Sequence, residues 1–250
     1  MMKWIQPLAL GIALVACSGQ EAAELTVDEV LARHVEVTGG AEAIDGLRNL
    51  RLAVEVVEPD FTVNGDYRAT RDGRMQVDIF ADSARVFSEG IDEQGGWQQG
   101  GDGGEVTQAT GLATAILARG IDFNIFGLHD LEERGHRAVL RDPETIDGTD
   151  YQVVELIMAD GFQRRFYINS ETWLIERHRE VSALHPDLDA EERPAETVEG
   201  DYRAMCGVLR STTTRKIDLE TGEEIQRTRV TDFDCNVDPA TLEIARYEDE

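Results

Sequence analysis

Basic side chains are scarce in this 250-residue chain: 24 Lys and Arg stand against 50 Asp and Glu, a formal net charge of −26. That balance argues against a nucleic-acid partner, because phosphate binding needs a basic footprint. Anionic headgroups are repelled by such a surface as well, so attachment to a membrane has to come from something other than charge. Catalytic signatures are missing too. There is no Gly-x-Ser-x-Gly elbow, no His-Glu-x-x-His and no Cys-x-x-Cys. The five histidines, at 34, 129, 136, 178 and 185, include no i, i+4 pair. Asp187, Asp189 and Glu191 suggest calcium, but the sixth loop position is not glycine and Val198 stands where a bidentate Glu belongs. The expectation is a protein that is not an enzyme and has neither cofactor nor metal. Long apolar runs are also lacking. The one at the start, residues 8–15, is too short to cross a bilayer, which takes about 20 apolar residues.

What that run does have is company. Lys3 precedes it, small residues end it, and Leu14-Val15-Ala16-Cys17 closes it. These are the parts of a secretory signal, and ending on cysteine resembles the lipobox of bacterial lipoproteins. The resemblance implies cleavage after residue 16, acyl chains such as palmitate on Cys17, and an acylated new N-terminus. A plain signal peptide or a chance cysteine are the alternatives. Two or more acyl chains anchor stably where one does not, so the membrane is reached through Cys17. Ser18 is not the aspartate associated with inner-membrane retention, which by enteric rules points to the bacterial outer membrane, facing the periplasm.

Cysteine is otherwise rare. With Cys17 set aside, only Cys206 and Cys235 remain, in a compartment that permits disulfides. Their midpoint falls in Leu219-Glu220-Thr221-Gly222, a hairpin-turn sequence that places them opposite one another. A disulfide is expected, with two buried free thiols as the alternative.

Residues 17–24 form a polar, alanine-rich tether, and residues 25–250 are expected to form one domain. Thr26-Val27-Asp28-Glu29 is a capping-box sequence, and Val27, Val30, Leu31 and Val35 follow at helical spacing up to Gly39-Gly40. A second short helix is expected over 41–47. From Leu50 the period becomes 2, in Leu50, Leu52, Val54 and Val56, in Phe61, Val63, Gly65, Tyr67 and Ala69, and in Met75, Val77 and Ile79. Asp72-Gly73 and Asp160-Gly161 mark hairpins. Residues 83–91 read as a further strand. Residues 95–105 (GGWQQGGDGGE) read as a loop, 107–119 as a helix closed by Gly120, and 121–128 as an apolar stretch of neither period. Strands resume over 138–141, 151–158, 162–168 and 173–181. The acidic segment 185–199, with two prolines, reads as a surface loop, and 202–217 with 223–234 as the cysteine-bearing hairpin. The sum is about ten antiparallel strands with helices at the front and in the middle.

Two stretches together resemble a known family. One is VDEVLARHVEVTGGAEAIDGLRNLRLAVEV, and the other runs from ERGHRAVL through YINSETWLIERHRE. Their spacing and turns are similar to the outer-membrane lipoprotein-sorting superfamily, the LolA/LolB-like proteins, over residues 26–181 and more loosely to 238. The resemblance implies a mainly β fold: a curved antiparallel half-barrel whose apolar concave face is covered by an N-terminal helix and a helical lid. It also implies a cavity for a lipid or for lipoprotein acyl chains. The lipobox is a departure from the soluble carriers and gives the layout of a membrane-bound acceptor, whose protruding apolar loop has no match here.

The lid residues are Leu112, Ile116, Leu117, Ile121, Phe123, Ile125 and Phe126, able to contact a ligand or simply to pack the core. Arginines cluster on the later strands. Arg164, between Phe162 and Phe166, and Arg177, grouped with Trp173, Ile175 and Val181, are candidates to meet a ligand headgroup. The alternative is cross-strand pairing with Glu155, Glu176 and Glu180. The function expected is a monomeric anchored lipoprotein that binds or transfers a lipophilic ligand. The alternative is a periplasmic scaffold with a filled core.

Overall fold

A computed structural model describes residues 25–101 and 104–242, together with positions 1, 244 and 246. The signal and lipobox, Cys17 and the whole tether over 17–24 lie outside the described residues. No described helix is long and apolar enough to cross a membrane.

Helix α1, Val27–Val37, opens on a reciprocal capping box: the Glu29 amide donates to Thr26 Oγ1 at 3.3 Å, and the Thr26 amide to Glu29 Oε2 at 2.8 Å. Two of the four orphan amide groups of the first turn are thereby satisfied. The short α2, Ala41–Asp45, follows the Gly39-Gly40 break. Six strands then form a meander: β1 Asn49–Glu58, β2 Phe61–Thr70, β3 Met75–Ala81, β4 Ala84–Asp92, β5 Gly95–Gly100 and β6 Val106–Gln108. Next come α3, Gly111–Ile121, and a π turn, Asp122–Phe126, that continues it. The second half holds β7 Arg137–Ile146, β8 Thr149–Ile157, β9 Gln163–Asn169, β10 Ile175–Ser182, β11 Arg193–Gly200, β12 Arg203–Met205, β13 Val208–Arg210, β14 Thr213–Asp218 and β15 Glu224–Cys235, then α4 Pro239–Leu242.

Thirteen of these strands form one antiparallel sheet, in the order β6-β5-β4-β3-β2-β1-β15-β14-β11-β10-β9-β8-β7. The last long strand, β15, joins the two meanders by pairing with β1. The sheet curves without closing, as the half-barrel resemblance implies. Bulges assist the bend: between β1 and β15 near Ala53, between β9 and β10 near Ile175, and between β14 and β15 near Lys216.

The strand count exceeds the expected ten, and each added strand has a physical reason for escaping notice. The glycine-rich 95–100 is β5, not a loop. A Cβ at Gly96 would collide with Thr114 of α3, and one at Gly90 would come within 2.9 Å of the Trp97 ring. Glycine here marks close approach of a helix and an indole to the sheet, not flexibility. Residues 193–200 are β11, in the interior of the sheet, not part of a surface loop. Its acidic residues are strand partners: Glu196 receives both Arg177, at 3.1 Å, and Arg179, at 2.7 Å. The expected strand over 202–217 is three pieces, with β12 and β13 forming a separate hairpin. The expected helix over 107–119 starts later, at Gly111, and runs through Gly120.

Two cores flank the centre of the concave face. Leu47, Leu50, Leu52, Ala69, Met75, Leu117, Ile121, Ile125 and Met205 pack the first meander against α3 and the π turn. Val30, Leu128, Leu131, Val154, Leu156, Met158, Phe166 and Ile168 pack α1 against the second.

Cys206 and Cys235 are joined in a disulfide, with Cα atoms 6.2 Å apart. The route differs from the expected face-to-face hairpin. Cys206 sits in the turn between β12 and β13, while Cys235 ends β15 opposite Leu50 of β1. The β15 bulge turns Cys235 to the concave side, where it meets that turn. A loop of 29 residues closed this way contributes about 3–4 kcal/mol in the chain-entropy model. Replacing both cysteines by serine is expected to lower unfolding free energy by about that amount, measured by urea denaturation of oxidised wild type against the double variant.

Candidate ligand-binding cavity

Between the two cores lies a cavity of about 630 Å³. Its sheet wall changes character from strand to strand. β1 and β3 supply Leu52, Val54, Val56, Val77 and Ile79. β10, β11 and β14 supply His178, Glu180, Thr197, Glu199, Thr214 and Lys216. The lid supplies Ile116, Phe123, Asn124 and Phe126, and α1 supplies His34, Val35 and Thr38. The apolar half follows from the alternation of β1 and β3, in which Leu52, Val54 and Val56, and Val77 and Ile79, are every second residue.

The π turn explains why 121–128 matched neither period. Its closing bond runs from the Gly127 amide to the Asp122 carbonyl, five residues apart, at 3.1 Å. A wider turn puts Phe123, Asn124 and Phe126 on the cavity while Ile125 goes to the core. Arg134 bonds Asp122 Oδ1 at 2.8 Å and the Gly127 and His129 carbonyls, which fixes the end of the lid. His129 lies 3.3 Å from Asp45 Oδ1 and 3.1 Å from Asp130 Oδ2, tying the lid to the end of α2.

Four of the residues expected to contact a ligand line the cavity: Ile116, Phe123, Phe126 and Arg164. Leu117, Ile121 and Ile125 do not; they are buried in the first core, so packing is their role. Leu112 is half-buried near the start of α3, away from the cavity wall. Arg177 is on the opposite face of the sheet, where it pairs with Asp147 and Glu196, both at 3.1 Å. The bulge at Glu176 is the reason. Ile175 pairs with Ile168 but Arg177 with Tyr167, so one extra residue reverses the facing of everything after it. Ile175, His178 and Glu180 therefore look inward, and Arg177, Arg179 and Val181 outward.

Arg164 does face inward, but its charge is spoken for. It pairs with Glu180 and stacks on the Phe123 ring, 3.9 Å from its centroid. Lys216 shares the same carboxylate at 3.3 Å. Burial alone would push the Glu180 carboxyl up, but Arg164, His178 and Lys216 outweigh it and hold it down to about 2. Arg164 thus fastens the lid to the sheet. His178 Nδ1 lies 3.1 Å from Glu199. His34 Nδ1 donates to the Trp173 carbonyl at 2.8 Å, and burial pushes its pKa down, so it serves as a neutral packing residue.

The segment joining β10 to β11 reaches over to the other half of the sheet, a role hidden from sequence reasoning by its acidic composition. His185 bonds Glu58 at the end of β1 at 3.0 Å, and Asp187 accepts from the Thr110 amide at 3.3 Å. Ala183 and Leu184 complete the cavity wall.

With this geometry in view, similarity to solved structures is informative. No family model and no curated protein matches the sequence. A LolA superfamily protein from Nitrosomonas europaea superposes with a TM-score of 0.58 at 14% identity, over 89% of this chain and 99% of that one. This chain has the LolA fold. An outer membrane lipoprotein-sorting protein domain from Vibrio parahaemolyticus gives a TM-score of 0.56 at 11% identity, over 84% and 95%. A DUF1329 family protein from Desulfovibrio piger gives 0.54 at 11%, over 85% and 94%. In this LolA fold the cavity lies between sheet and lid, so the fold itself supplies the concave site.

One half-buried acid on β4 makes stability depend on pH. Burial, with the Asp187 carboxylate second, pushes Glu89 up to about 7, against a lowering by His185. A carboxyl raised from 4.5 binds its proton more tightly in the folded chain, so its contribution is lost as pH rises from about 4.5 through 7. Glu89→Gln is expected to remove this slope and to stabilise the protein at pH 8 by about 2–3 kcal/mol, read from urea midpoints between pH 5 and 8.

Proposed function

We propose that this chain is a membrane-anchored, periplasm-facing lipoprotein that holds and transfers a lipophilic molecule, a lipid or the acyl chains of another lipoprotein. The observation that carries the reading is the cavity of about 630 Å³ between lid and sheet, with one wall built from Leu52, Val54, Val77 and Ile79. Small-molecule sites fall at about 300–1,000 Å³ and are mostly apolar. A scaffold needs no such hollow, since cavities weaken a core at roughly 24 cal/mol per Å³. The fold agrees with this use, because the outer membrane lipoprotein-sorting protein domain from Vibrio parahaemolyticus shares it. The anchor is the acylated Cys17 of the lipobox-like start, and no cofactor, metal or catalytic step enters the reading.

The test uses two forms of the chain. In the first, with Cys17→Ser to keep it free of the membrane, organic extraction is expected to release a non-covalent lipid identifiable by mass spectrometry. A neutral apolar fluorophore is expected to compete with that lipid, and Ile116→Trp, which places bulk in the cavity, to weaken the fluorophore about tenfold. A wild type that yields no lipid and binds no fluorophore overturns the reading. In the second form, unaltered chain in growing bacteria is expected to incorporate labelled palmitate and to lose the label on Cys17→Ala.

A further inference from the structure

The cavity wall carries four Lys or Arg side chains, Arg119, Arg164, Arg210 and Lys216. Three have carboxylate partners: Arg119 pairs with Asp160 at 2.8 Å, and Arg164 and Lys216 share Glu180. Arg210, the last residue of β13, makes no ion pair and no side-chain hydrogen bond among the described residues. The nearest acid that acts on it, Glu199, is engaged by His178 at 3.1 Å. Burial pushes the Arg210 guanidinium down to about 10, so it stays charged at neutral pH. A second polar group on the same wall is also unsatisfied. Tyr67 Oη, on β2, is buried with no well-formed hydrogen bond; burial raises its phenol, against the opposing effects of the neighbouring Asn124 side chain and of Arg210. Asn124 comes from the π turn of the lid.

A half-buried guanidinium that faces the cavity without an ion pair, and a buried hydroxyl without a well-formed hydrogen bond, are each under-satisfied. Both are satisfied when an oxyanion sits between them, since guanidinium and phenol are donors that suit a carboxylate. We infer that Arg210, with Tyr67 and with Asn124 from the lid, binds the oxyanion head of an anionic amphiphile whose hydrocarbon chain lies along Leu52, Val54, Val77 and Ile79. This rests on the lipophilic-ligand reading and adds to it the charge of the ligand and the residues that read it. The site takes one head with one negative charge, as in a long-chain fatty acid. Its chemistry is shared by an alkyl phosphate, so both are compared below. The headgroup role expected for Arg164 and Arg177 passes to Arg210 because, among the described Lys and Arg on the cavity, it is the one without an ion pair.

The test measures palmitate, hexadecanol, hexadecyl phosphate and a neutral apolar fluorophore on the chain carrying Cys17→Ser. Palmitate is expected to bind about 10- to 100-fold more tightly than hexadecanol, the range for a hydrogen bond to a charged group. Arg210→Met is expected to erase that preference and leave the fluorophore unchanged. Tyr67→Phe is expected to reduce the preference by a smaller factor, and Arg210→Lys to retain most of it. A hexadecyl phosphate that outcompetes palmitate assigns the site to a phosphate head, and the reverse order assigns it to a carboxylate; both support the oxyanion. Equal binding of palmitate and hexadecanol to wild type, with the fluorophore bound, overturns the head site and leaves the cavity reading standing. Failure of the fluorophore and every amphiphile to bind overturns both. If Arg210→Met loses the fluorophore through misfolding, Tyr67→Phe decides, and unchanged palmitate preference there overturns the proposal.

Discussion

A sheet of thirteen strands that bends without closing has a concave face wider than its own side chains can fill. Everything else in this chain answers that constraint. The two meanders are joined along β1 and β15, so the seam lies mid-sheet, far from either edge. Helix α1 covers one flank and α3 with its π turn the other, each with its own buried cluster. The first reaches Val230 and Cys235 of β15, the buried strand residues of the second stay on β8 and β9, and the two do not merge. What lies between is bounded by aromatic residues of the lid above and by the inward side chains of β1, β3, β10, β11 and β14 below. The edges are blunted, as open sheets require: β6 is three residues long, and β7 carries Pro143 in a bulge opposite Gln152.

Segments obeying one local rule were legible in the sequence. Thr26 and Glu29 announced α1 because a capping box is a local device, complete within four residues. β1, β2 and β3 were legible because alternation survives when one face is apolar and the other wet. Where two demands met on the same residues, the pattern was lost. Gly90 and Gly96 sit in strands because Trp97 and Thr114 need the space, so close packing disguised itself as a loop. β11 reads as an acidic linker because its charges are matched by arginines on β10, nineteen and seventeen residues earlier, which no local pattern can announce. The single extra residue at Glu176 was equally invisible, yet it decides whether Arg177 or His178 faces the cavity.

That last case shows why the residues of a site were harder to read than the fold. Alternation is robust to small errors of boundary, whereas facing inverts with one residue. Cys235 illustrates it from the other side. A bulge in β15 brings it to the same face as Val230, and so within reach of a turn that strict hairpin geometry would have placed elsewhere. The pairing of the cysteines was therefore legible from their number, and the path between them was not.

Charge distribution across the sheet follows from the same geometry. On the convex side, Glu155 receives Arg141 and Arg165, and Glu196 receives Arg177 and Arg179. Those arginines stay partly open to water while Glu196 is buried among them. Inside the trough the same chemistry acts under stronger terms, because buried charge must be matched or it costs several kcal/mol. Glu180 is matched twice, and that match sets where the lid can sit, since Arg164 reaches Phe123 only while it also holds the carboxylate. The polar strands thus position the cover, the aliphatic strands provide the hollow, and a molecule entering between them meets hydrocarbon on one side and fixed charge on the other. An occupant with a single kind of surface satisfies only half of that wall; an amphiphile satisfies both halves, in one orientation.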